Sequence, residues 1–183
     1  GLKELLRDVE AHLSQNGRSP SDVQKIISAI FKHVSKDTGI PAKIALGISP
    51  EDVEVLYSIT SNLYQNGEYE AAEKMFRLLI MIDHYEFKHL FGFATCLHVQ
   101  GNYFVAATTY QMASTLDPDY AWCHFHAAEC YMRIDDPVSA CVSLGMAVRS
   151  SGDQKAYTDL KKRCNLAKER LIEKINQSEI DEE

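Results

Sequence analysis

The stretch Gly101-Asn102-Tyr103-Phe104-Val105-Ala106 repeats the pattern of Gly67-Glu68-Tyr69-Glu70-Ala71-Ala72. One further step of the same length reaches Asp135-Asp136-Pro137-Val138-Ser139-Ala140, where the glycine and the tyrosine are lost and the alanine survives. Self-similarity at a fixed period of this length marks stacked copies of one supersecondary unit. Three units follow, 53–86, 87–120 and 121–154.

Inside a unit, small residues recur where two helices must cross closely: Ala72, Ala106 and Ala140, and with them Ala94 and Ala128. Bulky residues fill the remaining space, as Leu56, Ile59, Leu63 and Phe76, then Leu90, Phe93, Leu97 and Tyr110, then Tyr131 and Leu144. Their spacing is mostly three or four, the period of a helix face. Gly67 and Gly101 punctuate the units midway, and Asp117-Pro118 closes the second, because proline cannot extend a helix interior. Each unit therefore reads as a helix hairpin. The period, the mid-unit Gly and Tyr, the alanine three residues after that Tyr and the terminal proline match the tetratricopeptide pattern, whose repeat is about 34 residues. Thr60, His84 and His124 depart from it at single positions. The expected fold is an all-α tetratricopeptide-repeat solenoid over 48–154, with three hairpins, N-terminal helices and a C-terminal capping helix.

Outside the array, Leu2–Gln15 and Ser21–Ser35 carry helical spacing within an N-terminal segment 1–47, and Asp37–Lys43 reads as a loop. Ser49-Pro50-Glu51-Asp52 combines an N-cap, a first-turn proline and early carboxylates, a helix start. Tyr157, Leu160, Cys164, Ala167, Leu171 and Ile175 form one stripe, so 155–176 is expected to cap the array and 177–183 to be an acidic, frayed tail.

The 183 residues are 45% hydrophobic and 25% charged, enough for a core that buries roughly 70% of the unfolded chain's surface without a disulfide or metal. The net charge of −7 disfavours nucleic acid and anionic lipid, which reward basic faces. No apolar run nears the roughly 20 residues that cross a bilayer, so stable membrane insertion is not expected. The charged start Gly1-Leu2-Lys3-Glu4-Leu5-Leu6-Arg7-Asp8 is unlike a secretory leader, and a first residue that is Gly points to natural sequence upstream. Five cysteines without a Cys-x-x-Cys, set among apolar residues, read as reduced, buried thiols in a cytosol.

Chemistry is sparse. No phosphate-binding Gly-rich loop, nucleophile elbow, His-Glu-x-x-His or dinucleotide fingerprint occurs, and no cofactor is expected. Cys123, His126 and Cys130 lie at i, i+3 and i+7, beside His124, as a candidate metal set. Three ligands on one helix do not make a tetrahedron without rearrangement, which favours packing for them. Glu68, Glu70 and Glu73 surround a turn expected to face solvent, and nothing nearby in sequence would poise His98 as a base.

In stacked hairpins the first helix of each unit lines a concave groove, and unit positions 2, 5, 9 and 12 point into it. Unit one presents Glu54, Tyr57, Ser61 and Tyr64, unit two Lys88, Phe91, Thr95 and His98, and unit three Trp122, Phe125, Glu129 and Met132. These are not the inward Lys, Asn and Arg that grip a terminal carboxylate. Aromatic walls with a few polar groups suit an extended apolar peptide. The competing reading makes several of these rings core, since aromatics supply core area as readily as interface area.

The residues resemble the class II chaperones of bacterial type III secretion, which escort hydrophobic pore-forming translocators. The resemblance covers about residues 44–154. It rests on Gly47-Ile48-Ser49, Leu56-Tyr57, Tyr64-Gln65-x-Gly67-x-Tyr69-x-x-Ala72, Asp83-His84-Tyr85, Gly92 with Cys96, Gly101-x-Tyr103 and above all Phe125-His126-Ala127-Ala128-Glu129-Cys130. It implies a non-enzymatic cytoplasmic chaperone whose groove binds an extended N-terminal segment of a translocator, typically of the Pro-x-Leu-x-x-Pro kind. The family's groove tyrosines fall on Tyr57 and Tyr64, while Ser61 stands where an aromatic often occurs. The resemblance also implies a homodimer formed through the N-terminal helices. Two rivals remain: a generic repeat scaffold that joins folded proteins by a convex or terminal surface, and a metal enzyme built on Cys123, His126 and Cys130.

Overall fold

The structure, a computed structural model, describes residues 48–181. The two expected N-terminal helices, the Asp37–Lys43 loop and the dimerisation segment 1–47 lie outside the described residues. Seven α-helices follow in order: α1 (Pro50–Gln65), α2 (Tyr69–Ile82), α3 (Phe87–Val99), α4 (Tyr103–Leu116), α5 (Trp122–Arg133), α6 (Pro137–Ser150) and α7 (Thr158–Asp181), with a 3₁₀ turn at Lys155–Tyr157 before the last. Among the described residues there is no strand. The helices pair as three hairpins, α1/α2, α3/α4 and α5/α6, the first of which begins at Pro50, three residues before Val53. The chain divides after Cys96 into two compact units.

The first unit starts at the expected signal. The Ser49 hydroxyl oxygen accepts the Asp52 N–H at 3.1 Å, Pro50 occupies the first turn, and Glu51 and Asp52 complement the helix dipole. One face of α1 supplies Val53, Leu56, Ile59 and Leu63 to a core shared with Ala72, Met75, Phe76, Leu78, Leu79 and Ile82 of α2. Thr60, which departs from the repeat pattern, is completely buried, and its hydroxyl donates to the Leu56 carbonyl at 2.7 Å, so the polar group is satisfied within its own helix.

In the second unit α5 packs against both α4 and α6, and α7 packs along α6. Leu160 and Cys164 of α7 are buried with Phe125, Leu144 and Ala147, while Tyr157, Ala167 and Leu171 pack at the edge. The capping stripe thus does what its spacing implies. The helix runs to Asp181 and takes in most of the expected frayed tail, because 177–181 contain no glycine or proline to stop it.

The mid-hairpin turns show what the repeat demands of the backbone. Gly67 and Gly101 sit at φ +82° and +81°, a left-handed conformation that favours glycine. Asp135, one period further on, adopts φ +56°, so the third turn keeps its conformation after losing its glycine. Aspartate tolerates this region better than most residues. The next residue, Asp136, caps α6 by accepting the Ser139 N–H at 2.9 Å.

Ala106 is completely buried, so Ala106→Leu is expected to overpack its hairpin and cost about 1–3 kcal/mol in urea denaturation; a neutral result would mean the repeat register is wrong. Asp135→Gly relieves the left-handed strain at the cost of one exposed bond to Lys174 at 2.9 Å. It is expected to raise unfolding stability by about 1 kcal/mol, and a loss of stability would count against this account of the turn.

Candidate functional site

In the first unit, Tyr57, Ser61 and Tyr64 on α1 face Phe91 and Thr95 on α3 across a cavity of about 210 Å³. Helical spacing on both elements brings these side chains to one wall each. Phe76 of α2 closes the floor, meeting the Tyr57 ring edge to face at 6.2 Å. The floor depends on Gly92: a Cβ there would lie 2.2 Å from the Phe76 ring. The Thr95 hydroxyl donates back to the Phe91 carbonyl at 2.8 Å, so its polar group is engaged within α3. Tyr64 has its phenol pushed up, first by burial and then by Tyr69 and Cys96.

Lys88 is engaged as well. Its ammonium donates to Glu54 at 2.5 Å and stands 4.4 Å from the Tyr57 ring centre. Glu54 and Lys88 occupy the same position in consecutive repeats, so the period itself creates the ion pair. The Glu54 hydrogen bond raises the Lys88 pKa against the opposing effect of burial. A lysine held this way sits over Tyr57, which lines the cavity, and is not a free grip for a terminal carboxylate.

In the second unit the inner rings form a cluster about His126. Its imidazole stacks on Tyr110 at 5.4 Å and on Trp122 at 5.8 Å, and its Nδ1 is hydrogen-bonded to Glu129 at 2.8 Å. His98 stands edge-on to Tyr103 and Tyr110 and 6.2 Å from the His126 ring. Burial lowers the His98 pKa, with Glu129 opposing and His126 and Arg133 reinforcing. Burial alone would raise the Glu129 carboxyl, but its hydrogen bond to His126, together with the charges of His126, His98 and Arg163, carries it below its usual value.

Phe125, expected on the groove wall, is 6% exposed and packs with Leu160 and Cys164 of α7, with the Arg163 guanidinium 4.7 Å from its ring centre. The C-terminal helix covers it. Trp122 packs against the same core but remains partly exposed, and Met132 is exposed. Cys123 and Cys130 are completely buried, their thiols pushed up to about 12 by burial, whereas His126 lies partly exposed. The candidate trio, for which the sequence favours packing, is not a converging ligand group among the described residues. His98, assigned no partner by sequence, has His126 and Glu129 beside it.

Two residues have roles that the sequence does not reveal. Gly92 belongs to the family resemblance, but its place under the Phe76 ring needs the tertiary contact. His89 is completely buried: its Nδ1–H donates to the Asp83 carbonyl at 3.1 Å, its Nε2 has no hydrogen-bond partner among the described residues, and burial lowers its pKa. Asp83 also accepts the Tyr85 N–H on its carboxylate at 3.2 Å, which gives the Asp-His-Tyr motif a structural purpose in the connection between α2 and α3.

No family model matches the chain. Low calcium response locus protein H of Yersinia pestis is 32% identical over 118 residues, 64% of this chain and 70% of that protein. The Yersinia enterocolitica type III secretion chaperone SycD, solved in complex with a peptide of the translocator YopD, is 31% identical, with a TM-score of 0.65 over 69% of this chain and 97% of that one. PcrH, known also from Pseudomonas aeruginosa, was solved in complex with the chaperone binding region of PopD; it is 30% identical, with a TM-score of 0.66 over 70% of this chain and 96% of that one. The chain belongs to the class II translocator chaperones of type III secretion. The helix-repeat fold of this chaperone matches theirs, and no helix among its described residues is long and apolar enough to cross a membrane.

The contact between Gly92 and Phe76 makes the chaperone's cavity sensitive to one methyl group. Gly92→Ala is expected to displace the Phe76 ring and lower stability by about 1–3 kcal/mol in thermal denaturation. An unchanged melting temperature would mean that the ring yields freely and does not define the floor.

Proposed function

We propose that this chaperone masks hydrophobic translocators in the bacterial cytoplasm by holding an extended N-terminal client segment. The segment meets Tyr57, Ser61, Tyr64, Lys88, Phe91 and Thr95 in the first unit and His98, Trp122 and Glu129 in the second. Phe125 supports the second face from beneath and does not touch the client. The observation that carries the reading is the aromatic cavity of about 210 Å³ between α1 and α3. It is smaller than the roughly 300–1,000 Å³ that encloses a small molecule, and suits one or two side chains of a longer partner. SycD with its YopD peptide and PcrH with the chaperone binding regions of PopD and PopB support a peptide as that partner.

The physical need is plain. Segments destined for a membrane expose apolar area that aggregates in water unless covered. A shallow pocket covers it reversibly, and micromolar affinity lets an export machine remove the client. The function needs binding and release only, with no catalytic step. Residues 48–154 carry the binding array in this proposal, 155–176 cap it, and 1–47 pair two copies; an alternative dimer of SycD supports pairing.

Tyr64→Ala and Phe91→Ala are each expected to weaken binding of a labelled translocator-derived peptide by about 1–3 kcal/mol, roughly 5- to 150-fold, with the helical circular dichroism intact. Unchanged affinity in both would favour a scaffold that uses another surface.

A further inference from the structure

We propose that His98, His126 and Glu129 form a binding site for a divalent transition-metal ion of the zinc class. His98 lies near the end of α3, and His126 and Glu129 are three positions apart on α5, which puts them on one helix face. Each offers one ligand atom, and these atoms all lie within 4.8 Å of one another. Zinc bonds of about 2.0–2.1 Å set donors about 3 Å apart, so modest side-chain rotations suffice to close the set. All three residues are partly exposed, which leaves an ion a path from solvent.

The donor set and its surroundings favour this chemistry. Two imidazoles and one carboxylate suit zinc, copper or nickel, whereas magnesium and calcium prefer oxygen ligands alone. Stacking on Tyr110 and Trp122 holds the His126 ring, and Tyr103 and Tyr110 flank His98, so two of the three donors are positioned before any ion arrives. A metal needs unprotonated imidazole and ionised carboxylate. Arg133 and Arg163 act electrostatically on His98 and Glu129 and oppose a cation. The site differs from the sequence candidate Cys123, His126 and Cys130, with which it shares only His126.

The test uses the full chain, stripped of metal with a chelator and free of client, so that failure of the metal site and failure of the peptide-binding proposal are separate results. Calorimetric titration with zinc chloride is expected to give one ion per chain, with no comparable binding of magnesium. Cobalt(II) is expected to give the weak visible bands of a nitrogen and oxygen ligand set without the intense near-ultraviolet band of a thiolate. His126→Gln and Glu129→Gln are each expected to weaken zinc at least about tenfold while retaining the helical circular dichroism, and His84→Gln to leave it unchanged. Absence of stoichiometric zinc binding overturns the proposal. So does a thiolate band, or zinc affinity that survives loss of both His126 and Glu129.

Discussion

Everything in this structure depends on how closely paired helices are allowed to approach. Ala72, Ala106 and Ala140 recur once per repeat and are completely buried, as are Ala94 and Ala128. A methyl side chain lets two backbones come together where anything larger would lever them apart. Once these crossings are set, the bulky residues three and four positions away have only one side to turn to. The cores built from Leu56, Leu63 and Leu79, and from Leu144, Leu160 and Cys164, follow from that.

The same constraint produces the aromatic inner faces. Residues of the first helix in each hairpin that do not serve the crossing are free to carry rings, and the repeat register sets equivalent positions side by side. Glu54 meets Lys88 for this reason, and the lysine in turn lies over Tyr57. Exposed ion pairs contribute little stability, so this pair matters by orienting a cavity wall. Gly92 extends the logic to the floor: it is the absence of a side chain on α3 that gives Phe76 its place.

Much of the first-unit face was legible in the sequence, because Tyr57, Ser61, Tyr64, Phe91 and Thr95 follow from helical spacing within a recognised register. The second-unit face was less so. Phe125 occupies a groove position by register, but register describes a repeat with an open inner face, and here α7 covers it. His98 looked solitary because its neighbours His126 and Glu129 lie far along the chain, in the next repeat and on another helix. Cys123 and Cys130 looked like candidate ligands because spacing reports which residues share a helix, not which way that helix faces its core.

By itself the sequence determined the helix hairpins, their period, the start of α1, the apolar stripe of α7, and the family, because these rest on local propensity and on short-range spacing that any window of the chain displays. Even the third turn was marked, by its alanine, though not that Asp135 would take over the glycine conformation. Tertiary structure alone decided which inner rings stay open, what Gly92 makes room for, and that two histidines and a glutamate from different helices converge. Those outcomes depend on contacts between residues far apart in the chain, and no local pattern encodes the rotation of one helix against another.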